Sequence, residues 1–156
     1  MRVVNVHGDD WDEWPLLRPD AYRWRHLAAG QRLGGEKLGG TVYELDPGRK
    51  SFPYHWHSSN EEMLVVLTGR LALRTSEGER AVERGDVVVF PTGAAGAHQL
   101  RNDSDEPARF LMLSTRRSPE AVEYPDSGKM GILAMSAGVR RVLRTDAEVD
   151  YWEGES

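Results

Sequence analysis

Through the middle of the chain the apolar residues come in short runs, not at helical intervals. The segment EMLVVLTG (62–69) is apolar at nearly every position and closed by a glycine, the mark of a buried strand rather than a half-exposed one. DVVVFP (86–91) reads the same way and is stopped by proline. GGTVYELDPG (39–48) is a β-prone run ending in an Asp-Pro-Gly turn, and SFPYHWH (51–57) is an aromatic-rich strand with Pro53 at its edge or start. RLALRT (70–75) and RAVERGD (80–86) flank the turn SEGE as a hairpin. AHQLRN (97–102) and ARFLMLST (108–115) follow, separated by the polar turn DSDEP. Short strands with turns between them, and no convincing amphipathic helix, predict an all-β closed barrel or sandwich.

The ends have a different texture. Residues 1–20 mix Trp, Asp and Pro and are expected to drape over the barrel. Residues 116–137 hold Pro119, Pro125, Gly128 and Gly131, which predicts an arm or loop with a short helix near Pro119–Glu123. GVRRVLRT (138–145) suits a last strand and DYWEGES a trailing tail. The expected organisation is one domain over 1–156: a barrel core at about 38–115, an N-terminal arm over 1–37 and a C-terminal arm over 116–156.

Composition narrows the chemistry. With 156 residues, 29% charged and 39% hydrophobic, the balance is that of an ordinary globular protein. Acids outnumber bases 25 to 20 and no basic run stands out, which argues against a nucleic-acid partner. No apolar run approaches the length of a transmembrane helix, and MRVVNVHGDDWDEW turns acidic too soon for a secretory signal. No membrane partner is expected, and nothing argues against a cytoplasmic location. The absence of cysteine removes disulfides, thiolate nucleophiles and zinc–sulfur sites, so any metal must be held by nitrogen and oxygen.

Two of only five histidines stand one residue apart, at His55 and His57. In a strand, residues i and i+2 share a face, with Cα atoms roughly 6.5 Å apart, so both imidazoles can reach one ion. Phe52, Tyr54 and Trp56 then point the other way, as an aromatic row that needs an arm or a second subunit to cover it. A third ligand is expected from the next strand. Alternation in EEMLVVL groups Glu62 with Leu64 and Val66, and Glu61 with Met63, Val65 and Leu67, and cannot choose between two apolar faces.

The segment Gly48…His55-x-His57-x4-Glu62-x6-Gly69 resembles the first signature of the cupin superfamily. In that family two histidines and a glutamate bind a metal inside a double-stranded β-helix, or jelly-roll barrel. The resemblance selects Glu62, which has the family's spacing to the closing glycine; the leading glycine is one residue farther from the first histidine than usual. Gly85-x5-Pro91-x-Gly93 followed by His98-x3-Asn102 resembles the second signature, except that four residues, AAGA, stand where two are usual. An insertion in a turn costs little. The resemblance makes His98 the fourth ligand. More narrowly, FPTGAAGAHQLRNDSDEPARFLMLST with the later YPDSGKMG and DYWEGE is similar to a group of small bacterial single-barrel cupins of largely uncharacterised function, over roughly residues 20–152.

The expected site is one divalent ion (Fe, Mn, Ni or Zn) held by His55, His57, Glu62 and His98, with open positions for a bidentate oxygen ligand. A metal-dependent oxygenase or isomerase/lyase acting on a small oxygenated molecule is expected, the alternative being a non-catalytic binding or sensing barrel. Tyr43, Glu44, Gln99 and Arg74 are candidate acid–base or positioning groups. His7 and His26 are read as structural, and the inward or outward aim of Arg70 and Arg74 as solvated surface. The aromatic row and the barrel edges predict a homodimer.

Overall fold

Gly69, which closes the most apolar run, turns the chain with φ +77°, and a Cβ there would lie 2.9 Å from Ala108. Only glycine satisfies both demands, so the first buried strand ends where the sequence says it ends. The computed structural model describes residues 1–13 and 17–155. In chain order its strands are β1 (Arg25–Leu27), β2 (Leu38–Leu45), β3 (Trp56–His57), β4 (Glu62–Thr68), β5 (Arg70–Thr75) and β6 (Gly78–Glu83). They continue as β7 (Val87–Phe90), β8 (His98–Arg101), β9 (Ala108–Thr115), β10 (Glu120–Tyr124), β11 (Lys129–Ala134) and β12 (Val139–Arg144). One helix, α1 (Ala29–Leu33), lies between β1 and β2.

The strands pair antiparallel in three sheets, ordered β1-β2-β9-β4-β7, β6-β5-β8 and β12-β11-β10-β3. Leu64 and Val66 of β4, Phe110 of β9 and Leu45 of β2 meet Leu71 and Leu73 of β5 and Leu100 of β8 in one core between the first two sheets. The register opposes Val66 to Phe110 and Leu64 to Met112, so Glu62 shares the inward face with Leu64 and Val66. Burial thus makes the choice that alternation leaves open.

Four expectations are corrected. β4 and β7 are not buried on both sides: Met63, Val87 and Val89 lie on the outer face and are 37%, 57% and 49% exposed. The strand expected over 51–57 shrinks to Trp56–His57, with only an isolated bridge from His55 to His98 before it. Pro53 has no N–H to give a ladder, and the hollow beside Trp24 draws Phe52 inward, 5.2 Å between ring centroids. The aromatic row is therefore not an exposed surface: Phe52 packs on the core, Tyr54 is buried under the Arg74 guanidinium, and Trp56 is half-buried. The predicted helix near Pro119–Glu123 is instead β10, which pairs with β3 and β11.

Described residues of the N-terminal segment pack on the barrel. The Asp12 carboxylate accepts the Ala28 N–H at 2.7 Å and pairs with Arg32 at 2.6 Å. Arg109, nearly buried on the outer face of β9, donates to Glu44 and Asp9 and to the carbonyls of Val6 and Gly8. The arm and α1 cover one half of that outer face, where Val42 is fully buried. Met63, Val87 and Val89 lie on the other half.

Candidate metal centre

His55 arrives from the irregular stretch after Pro53, its backbone bridged to His98 by N–H donation in both directions. His57 sits in β3, Glu62 opens β4 and His98 opens β8. The extra residues before His98 fold as a single 3₁₀ turn, Ala94–Gly96. That turn sits so close to Pro91 that a Cβ on Gly96 would lie 1.8 Å from the Pro91 carbonyl oxygen. The insertion therefore changes the loop and not the aim of His98.

The fold brings His55, Glu62 and His98 together: their ligand atoms all lie within 4.8 Å of one another. His98 Nε2 is 3.2 Å and His57 Nε2 3.4 Å from the same oxygen, Glu62 Oε2. His57 is outside the group of three; it flanks the cluster, its ring centroid 5.1 Å from that of His55. All four sequence-predicted residues thus meet, three as a tight group and one at its side.

The outward nitrogens support a metal. His55 Nδ1 lies 2.8 Å from the Pro53 carbonyl and His98 Nδ1 2.9 Å from the Gly96 carbonyl. A carbonyl only accepts, so each Nδ1 carries the proton and each Nε2 keeps its lone pair for the centre. Burial, with His98 and His57 nearby, pushes the pKa of His55 down to about 3, so the imidazole is neutral. For Glu62, burial alone favours the neutral acid, but the adjoining His57 and His98 side chains overcome it and hold the carboxyl well below its usual range. For His57, burial opposes charge and is outweighed by Glu62 and Glu120, which raise its pKa. Two Nε2 lone pairs, from His55 and His98, beside an ionised carboxylate are a donor set that fits a divalent ion. Phe90 lies flat on His98, centroids 3.8 Å apart, and Tyr124 stacks on His55 at 6.0 Å, so the rings are held from behind.

A cleft of about 560 Å³ opens onto His57 and Glu62. Its walls include Asn60, Arg116, Arg117 and Glu120. None of the four candidate acid–base groups lines it. Tyr43 lies in the aromatic core, its phenol pushed up to about 12 by burial, and Glu44 pairs with Arg109 on the outer face. The Gln99 amide donates to the Phe52 carbonyl. Arg74 is taken by Asp126 and by the face of Tyr54, and Arg70 is exposed. His26 is buried against Trp24 and Tyr43, and His7 is exposed on the arm; neither joins the cluster. Sequence reasoning missed Glu120 and Tyr124, which reach the site from β10; the alternation of Glu120, Val122 and Tyr124 was the available signal.

A family model described as a cupin domain matches residues 41–114. The chain is 31% identical to a sugar phosphate isomerase from a cupin superfamily of Silicibacter pomeroyi, with TM-score 0.75, over 83% of this chain and 82% of that one. It is 26% identical to a putative sugar phosphate isomerase from Acidithiobacillus ferrooxidans, with TM-score 0.77, over 83% of this chain and 81% of that one. The polyketide cyclase RemF of Streptomyces resistomycificus, 23% identical with TM-score 0.61 over 76% and 84% of the two chains, shares the fold. No curated protein is similar enough to the chain to count as a match.

Proposed function

The chain belongs to the cupin superfamily, and on that premise we propose that it is a metal-dependent enzyme that isomerises a small anionic oxygenated molecule of the sugar phosphate kind. The supporting observation is the convergence of His55, Glu62 and His98 beside a cleft whose wall carries Arg116 and Arg117. His55, His57, Glu62 and His98 would hold one ion, and the nitrogen–oxygen set suits iron, manganese, nickel or zinc. Bound there, the ion would act as a Lewis acid on a carbonyl or hydroxyl oxygen of the substrate. The arginines would receive the anionic group, since a guanidinium matches phosphate or carboxylate oxygens in pairs. Isomerisation moves a proton between neighbouring carbons and needs no external oxidant. The descriptions of two similar structures, 26% and 31% identical, favour it over the oxygenase reading.

The purified protein is expected to carry close to one equivalent of divalent metal, absent from His55→Ala. Loaded protein in deuterated water is then expected to exchange the hydrogen α to the carbonyl in a panel of aldose and ketose phosphates. Saturable binding without exchange would replace the enzyme by a binding barrel. A metal-free protein that takes up no added ion would remove the site.

We also infer a homodimer, supported by Leu38, Met63, Val87 and Val89, which are exposed on the outer face of the five-stranded sheet, rather than by the aromatic row. A monomer in sedimentation at micromolar concentration would overturn it.

A further inference from the structure

Glu120 is buried, 5% exposed, and opens a strand beyond residue 114, where the cupin-domain match ends. Its Oε1 accepts the backbone N–H groups of Ser58 at 3.0 Å and Ser59 at 3.3 Å, and its Oε2 accepts the Asn60 amide. These donors form the turn between the histidine pair and Glu62. The same Oε1 stands 3.5 Å from His57 Nδ1, a buried nitrogen that makes no completed hydrogen bond among the described residues. On its other side, His57 Nε2 faces Glu62 Oε2.

The other two histidines show what is incomplete here. His55 and His98 each have a backbone carbonyl within 2.9 Å of Nδ1, and that carbonyl fixes the tautomer. No carbonyl serves His57; a carboxylate stands in the corresponding place. Burying a carboxylate is costly, and the turn alone needs only a neutral acceptor. A negative charge behind the ring does more: it accepts the Nδ1 proton and makes Nε2 a stronger donor toward a cation.

We propose that Glu120 is a positioning residue for the metal centre. It closes onto His57 Nδ1–H, leaving Nε2 as the lone pair directed at the ion, and ties the C-terminal sheet to the site. The inference rests on the metal-binding reading above.

The test is zinc affinity, measured by competition with a chromophoric chelator for the full-length wild type, Glu120→Gln, His57→Ala and the double variant. Glu120→Gln keeps an acceptor for the turn and removes the charge. It should bind zinc about 10- to 100-fold more weakly than wild type. In the His57→Ala background the same change should cost nothing further, because its effect passes through that ring. Wild-type affinity in Glu120→Gln, or losses that simply add, would overturn the assignment while leaving the metal site standing. A wild type that binds no zinc would bring down both. Should Glu120→Gln fail to fold, zinc-loaded wild type with ¹⁵N-labelled imidazoles decides. His57 must carry its proton on Nδ1, and a proton on Nε2 overturns the proposal.

Discussion

His55 shows how far a fold can move one side chain from its behaviour in water. Its ordinary pKa of 6.5 falls to about 3, so the unfolded chain binds a proton between those values that the folded chain refuses. Stability from this group is fully present above about pH 6.5 and is lost as pH falls toward 3, by about 1.4 kcal/mol per unit. Glu62, also lowered, has the same sign below its ordinary 4.5. His57 is raised, so its share is present below 6.5 and lost as pH rises through its folded value. The metal-free protein should therefore be most stable near pH 6.5, with a urea midpoint that falls on acidification. A midpoint that stays flat between pH 4 and 6.5 would contradict the buried, neutral imidazole. Bound metal should steepen the loss on acidification, because protons compete for the same nitrogens.

At the scale of elements, β4 carries the clearest contrast. Leu64 is fully buried, and Leu64→Ala should cost about 2–5 kcal/mol in chemical unfolding. Met63, next in sequence and 37% exposed, should tolerate Met63→Lys within about 0.5 kcal/mol for the monomer while weakening any dimer. Equal losses at both positions would mean that both faces of the strand are packed within one chain. That pair also marks the limit of what was legible. The strands from β4 to β9 could be read because each is a local run bounded by its own turn. The clustered histidines could be picked out because they lie on or beside those runs. Which face of β4 is inside could not, since both faces are apolar and burial is a property of the partner sheet. Nor could β10. Pro119, Pro125 and Gly128 punctuate that region as a loop would, and its strand exists because β3 and β11 supply the hydrogen bonds. Glu120 and Tyr124 were missed with it.

At the scale of the molecule, both terminal segments are tied to the barrel by specific contacts. Arg109 is nearly buried between Glu44 on the sheet and Asp9 on the arm. Arg109→Ala would leave Glu44, only 12% exposed in its side chain, with Arg25 as its remaining guanidinium partner, and would release Asp9 and the Val6 and Gly8 carbonyls. A loss of about 1.5–3 kcal/mol is expected, with faster proteolysis of residues 1–13; an unchanged cleavage rate would show that Arg32 and the Asp12 contacts suffice to hold the arm. The other end matters in a different currency. β3, which bears His57, finds its ladder partner in β10, more than sixty residues later. A ribosome extrudes the chain in order, so the apolar strands through β9 emerge and can collapse before that partner exists. The core and the group of His55, Glu62 and His98 can thus form first, and the place of His57 beside them is fixed last.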